Sequence, residues 1–199
     1  VLGVAVLSLF KGSEFITSIL VVPEISTMLE AEKLSALIAC GTLIITIFGI
    51  GLTCTTMSSI SLEGTNLWIK KTLPVSEKEI FKAKIISNLI LTIPAAILSN
   101  IIFYVALKFD VIYLMLNIII AIVFSVLNAV LGLLINVYFP KLDWSNPTVV
   151  VKQSAAVFIG LVVTFASIAL PIAVFLLLKV ENILMYLSFL AIIFLAVAF

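Results

Sequence analysis

The chain has 199 residues, 64% hydrophobic and 11% charged, with a formal net charge of +1 and no histidine. An ordinary soluble domain carries roughly 25% charged residues, and its core could not absorb this much apolar surface, so a water-soluble globule is excluded. With no basic surplus, nucleic acid is not an expected partner either.

Apolar runs of about 20 residues match the roughly 30 Å hydrocarbon slab of a bilayer, where only helices and closed barrels satisfy their own backbone groups. Barrel strands alternate polar and apolar residues over about 10 positions, and these runs do not alternate. The sequence therefore predicts an all-α polytopic membrane bundle of about six transmembrane helices. It forms one transmembrane domain over 1–199, in contact with lipid throughout. The chain starts at Val1 and stops at Phe199 inside an apolar run, so a fragment of a longer protein is expected. Its start lacks the layout of a cleavable signal peptide.

In chain order the expected spans are 1–22, 36–59, 85–107, 111–138, 154–178 and 183–199. Lys11 and Glu14, three residues apart, leave two readings of the first. Either the span runs through them and they are charges inside the membrane, which are functional suspects, or it ends near Phe10 and residues 15–35 form an outer re-entrant or surface helix. Cys40 and Cys54 lie four helical turns apart, about 20 Å along one helix, which excludes an intrahelical disulfide.

Small and polar residues fall on helical stripes in four spans. In the second they are Thr42, Thr46, Gly49, Thr53 and Thr56, and in the third Asn88, Thr92, Ala95 and Ser99. The fourth carries Asn117, Ala121, Ser125, Asn128, Gly132 and Asn136, and the fifth Gly160, Thr164, Ser167 and Pro171. Such faces allow close helix approach and interhelical hydrogen bonds. They are also compatible with a weakly polar path for an amphiphilic substrate, for which Asn117, Asn128 and Asn136 are the best residues. Pro94 and Pro171 sit mid-span, where each removes an N–H donor and favours a bend.

The one long polar stretch is 61–84. Glu63 to Leu73 predicts a short surface helix with Leu62, Ile69 and Leu73 toward the apolar side, Trp68 at headgroup level and Lys70 and Lys71 toward water. Pro74 ends it. Ser76 followed by Glu79 is a capping box, so a new helix starts there and runs into the third span. The loops at 60–84 and 139–153 carry Lys70, Lys71, Lys78, Lys82, Lys84, Lys141 and Lys152 against four carboxylates, whereas the opposite side has a carboxylate surplus. The positive-inside rule places these two loops in the cytoplasm.

Without histidine, a cysteine cluster or grouped carboxylates in the spans, a zinc site, an intramembrane metalloprotease and His-based acid–base catalysis have no candidates, and no metal ligands are expected. No Gly-x-x-x-x-Gly-Lys-Ser/Thr run occurs, so any nucleotide binds elsewhere. The chain is not expected to be an enzyme.

Four runs resemble the permease subunits of type-2 ATP-binding-cassette exporters, particularly a branch of permeases from low-GC Gram-positive bacteria. They are Ser-Leu-Glu-Gly-x-Asn-Leu-Trp (61–68), Leu-Pro-Val-Ser-x-Lys-Glu-Ile (73–80), Phe-Pro-Lys-Leu-Asp-Trp-x-Asn (139–146) and Val-Lys-Gln-Ser (151–154). The resemblance implies that 61–84 is a coupling loop docking on a separate cytosolic ATPase, with Glu63, Gly64, Trp68, Leu73 and Pro74 in the coupling element. It further implies a homo- or heterodimer in the plasma membrane, with ATP and Mg on the partner subunit and no cofactor here. The family's amino-terminal interfacial helix is missing, and the outer segment before the last span is too short for an elaborate lid. A secondary transporter or a non-catalytic helical assembly subunit is the alternative; a secondary carrier calls for an ionisable residue at mid-depth, which only Lys11 and Glu14 could supply.

Overall fold

A computed structural model describes residues 31–53, 55–66, 72, 74–178 and 183–198. The expected first span, with Lys11 and Glu14, lies outside these residues. Among the described residues all regular structure is helical: α1 (Ala31–Gly51), α2 (Thr55–Ser58), a 3-10 turn (Ser61–Asn66), α3 (Glu77–Leu107), α4 (Val111–Tyr138), α5 (Pro147–Gln153), α6 (Ala155–Leu178) and α7 (Ile183–Ala198).

Four segments are long and apolar enough to cross a membrane: Ser35–Gly64, Glu77–Leu107, Val111–Tyr138 and Pro147–Pro171. The chain thus has the make-up of a multi-pass membrane protein. The sixth expected span corresponds to α7, whose 16 described residues cover about 24 Å at 1.5 Å per residue.

α4 is the axis of the bundle, packed against α1, α2, α3, α6 and α7. Its buried residues occur all along its length, from Tyr113 to Asn136. On α1, Ala36, Ala39, Leu43, Ile47 and Ile50 step by three and four and form the buried face. Phe124 of α4 meets Phe194 of α7 at 5.5 Å between ring centroids, and Phe48 of α1 meets Phe165 of α6 edge-on at 5.6 Å. The Asn88, Thr92 and Ser99 stripe of α3 is buried as well.

α3 begins with the capping box expected from the sequence: Glu79 N–H donates to Ser76 Oγ at 3.4 Å, and Ser76 N–H to Glu79 Oε2 at 3.1 Å. It then runs 31 residues, through Pro94. Lys108 ends it in the left-handed conformation at φ 49°, its N–H donating to Tyr104 O. The next helix starts three residues later, with Phe109 buried in the turn.

The second span departs from its expected continuity over 36–59. α1 ends at Gly51, and the chain resumes as the one-turn α2. At the break the Ile50 carbonyl accepts from Thr53 N–H at 3.0 Å, from the Thr53 hydroxyl and from Asn128 Nδ2 at 3.3 Å. Side-chain donors thus compete with the helical ladder there.

The break also corrects the stripe. Thr42, Thr46 and Thr56 are buried, while Gly49 and Thr53 are only half-buried. A close approach is made at Gly51, where an added Cβ would stand 2.0 Å from Thr164 Cγ2.

Candidate functional site

The break after α1 hands the chain to the polar stretch, and two glycines set the packing there. Cβ atoms at Gly132 of α4 and Gly160 of α6 would collide with Thr56 and Met57, so α2 sits against both helices without intervening side chains. Ser61, itself fully buried, then enters a knot of hydrogen bonds. Asn136 Oδ1 accepts from Ile60 N–H at 2.8 Å and Ser61 N–H at 3.1 Å, while Asn136 Nδ2 donates to Ser61 Oγ at 2.7 Å. Ser61 Oγ also accepts from Lys141 N–H at 2.9 Å, and Ser61 O from Trp144 Nε1 at 2.8 Å. The two expected cytoplasmic loops are therefore stitched to one residue.

Gly64 belongs to the same knot. Its backbone has φ 52° and ψ −132°, and a Cβ on it would lie 3.0 Å from the Trp144 indole nitrogen. Glycine is thus required for both conformation and space. Only the start of the expected surface helix falls on described residues: Gly64 interrupts the 3-10 turns that Ser61–Asn66 adopts, so no regular helix begins at Glu63, while Thr72 is helical and 67–71 lie outside the described residues. Trp68 and Leu73 lie outside the described residues, and Pro74 is exposed in the bend before Ser76.

Glu63 is not a free surface carboxylate. It pairs with Lys84 of α3, and the two side chains are 12% and 13% exposed. Lys84 Nζ also donates to Ser59 O at 2.7 Å. One ammonium therefore ties both ends of the 59–63 stretch to the second turn of α3. Burial strengthens such a pair electrostatically but also costs hydration, so its best-supported role is to fix geometry rather than add stability.

Asn117, Asn128 and Asn136 form a ladder from α4 to the parallel second span. Asn117 Nδ2 donates to Ala39 O at 2.9 Å and Thr42 Oγ1 at 3.2 Å, and Asn128 Nδ2 to Ile50 O. Asn128 Oδ1 accepts from Thr164 Oγ1 at 3.2 Å, bringing in α6. The offset along the chain is 78 residues at Asn117 and at Asn128 and 76 at the Ile60 bond of Asn136, as expected for two helices running the same way in register. Each amide is thus engaged between helices, as a polar group in hydrocarbon requires. Of the three, Asn117 alone keeps a buried oxygen with no partner, its Oδ1.

Sequence reasoning missed Trp144 as the ceiling over Gly64, Lys84 as the partner of Glu63, and Gly51. For Trp144 a signal existed: a tryptophan within the 139–146 run, in a loop held on the same side as Gly64. Among the described residues no group of three or more His, Cys, Asp or Glu is placed to hold a metal ion.

Comparisons with protein-family models, with curated proteins and with solved structures give no match for this chain.

Proposed function

We propose that this chain is the transmembrane subunit of an ATP-driven exporter, dimeric in the plasma membrane and worked by a separate cytosolic ATPase subunit that holds ATP and Mg. The proposal rests on the motif runs at 61–68, 73–80 and 139–146. The observation that carries it further is mechanical. The 59–64 stretch is bound to α3 through Glu63 and Lys84 and to the second loop through Ser61 and Trp144, so a load applied to the loop has a short, stiff route into a 31-residue helix.

In this reading Glu63 and Gly64 set the loop's shape, while Trp68, Leu73 and Pro74 present it to the ATPase in the helix-in-groove manner. ATP-driven closure of the ATPase pair moves the loop, tilts α3 and switches access between the two sides. No charged residue interrupts α3 beyond Lys84, or α4 at any point, which disfavours ion-coupled secondary transport through these two helices.

The test is purification in mild detergent from the source cells, followed by assay of the retained material for ATP hydrolysis. An ATPase subunit held in a fixed ratio, with hydrolysis that rises on reconstitution into liposomes, is the expected result. A chain that purifies without any ATPase sinks the proposal.

A further inference from the structure

Along one face of α3, Ile80, Lys84, Ser87, Leu91, Pro94 and Leu98 follow at alternating steps of four and three, so they form a single stripe. Its first half and its second half have different surroundings. From Ile80 to Asn88 the helix walls a cleft of about 920 Å³, faced by Thr55, Ser58, Ser59 and Leu62. Beyond the cleft the stripe is bare and apolar, with Leu91 64% and Leu98 52% exposed.

Lys84 is the last charged residue of α3, so the cleft straddles the level at which water gives way to hydrocarbon. Glu79 and Lys84 line its shallow end, and its deep end keeps polar groups as well. Asn88, 2% exposed, donates from Nδ2 to Thr55 Oγ1, which leaves the Thr55 hydroxyl proton directed elsewhere. Lys84 Nζ bonds Ser59 O and Glu63, and an ammonium has a third proton to give. Ser87 adds an exposed hydroxyl. Donors at hydrocarbon depth are costly unless an acceptor reaches them, and the matching occupant carries acceptor oxygens at one end and a hydrocarbon chain at the other.

We infer that this cleft is a lateral binding site for a glycerophospholipid of the adjoining leaflet. Its phosphate and ester oxygens accept from Lys84 Nζ and from the Thr55 and Ser87 hydroxyls. One acyl chain lies along Leu91, Pro94 and Leu98. The lengths agree: from Ser87 to Leu98 the helix rises about 16 Å at 1.5 Å per residue, close to half of the roughly 30 Å hydrocarbon slab. The cleft volume lies in the range of small-ligand sites, about 300–1,000 Å³, enough for a head group and glycerol. The site does not depend on the exporter reading.

The experiment places the whole chain in vesicles of phosphatidylethanolamine and phosphatidylglycerol containing a phospholipid with a photoactivatable diazirine midway along one acyl chain. Cross-linked peptides are then mapped. Met115 and Ile119 of α4, 59% and 50% exposed, report ordinary contact with bulk lipid. Label at 91–98 should exceed label at 115–119 by about fivefold, the equivalent of one net hydrogen bond. Ala83→Trp, which fills the cleft mouth, should bring the two regions level. Ser87→Leu, which removes a donor and adds no charge, should lower the excess without affecting the melting temperature, and it decides the matter if Ala83→Trp does not fold. Equal labelling of both regions in the wild-type chain, or an excess unchanged in Ser87→Leu and in a folded Ala83→Trp, would overturn the site.

Discussion

Asn136 holds Ser61 through both ends of its amide: Oδ1 accepts the Ser61 N–H at 3.1 Å, and Nδ2 donates to the Ser61 hydroxyl oxygen at 2.7 Å. Both residues are fully buried, so neither end has water as a substitute. Asn136→Leu removes the acceptor for two backbone donors, those of Ile60 and Ser61, and each buried orphan costs about 1–3 kcal/mol. A loss on the order of 3 kcal/mol is expected in detergent unfolding. Asn128→Leu, which forfeits interhelical bonds averaging about 0.6 kcal/mol in membrane proteins, should cost less than half of that.

The glycines give a sharper contrast. At Gly51 and Gly160 any side chain meets Thr164 or Met57, whereas nothing lies within 4 Å of a Cβ on Gly41. Gly51→Leu and Gly160→Leu should each lower stability by about 1–3 kcal/mol through overpacking. Gly41→Leu should melt within a degree or two of wild type, because leucine only gains in helix propensity there. Equal melting of the three variants would mean that the helices do not approach as described.

Gly64 and Trp144 should fail together. Gly64→Ala places a methyl group against the indole in a backbone conformation that side chains rarely adopt, a strain of about 1–3 kcal/mol. Trp144→Phe keeps much of the ring and loses the Nε1–H donor to Ser61 O, worth about 1 kcal/mol. Since the residues touch, the double variant should cost less than the sum of the singles, and a double-mutant cycle on thermal unfolding measures this. Strict additivity would show that the loops are not joined at this point.

Topology follows from the lysine distribution. Single cysteines at Asn66 and Ser145, both exposed, should react with an impermeant thiol reagent only from the cytosolic side, and one at Lys108 only from outside. The reverse pattern would invert the chain.

What the sequence made legible was periodic or local. The Ser76–Glu79 box depends on four consecutive residues, and the α4 stripe repeats with the helix, so the buried positions of Asn117, Asn128, Gly132 and Asn136 could be read directly. Partners were not legible. The groups bonded to those amides stand 75 to 78 residues away in the second span, or 36 away at Thr164, and nothing in a stripe says which helix it faces. The break after Gly51 was hidden for the same reason, since a distant Asn128 is one of the donors to the Ile50 carbonyl there. Glu63 read as a solvent-facing docking residue because its ion-pair partner, Lys84, lies beyond a proline turn and a helix start. Gly51 went unread because the stripe of 42, 46, 49, 53 and 56 steps over it.

The central claim is that an ATPase pushes on the 61–84 loop. Glu63 is a poor probe of it, since its replacement would remove an ion-pair partner of Lys84, whereas Trp68, a proposed anchor, is neither member of that pair. The deciding measurement is ATP hydrolysis by the purified complex in liposomes, comparing wild type with Trp68→Ala at matched thermal stability of the transmembrane chain. The account predicts at least a tenfold loss, the size expected when an anchor worth about 1.4 kcal/mol or more is removed. Undiminished hydrolysis in a stably folded Trp68→Ala complex would contradict it.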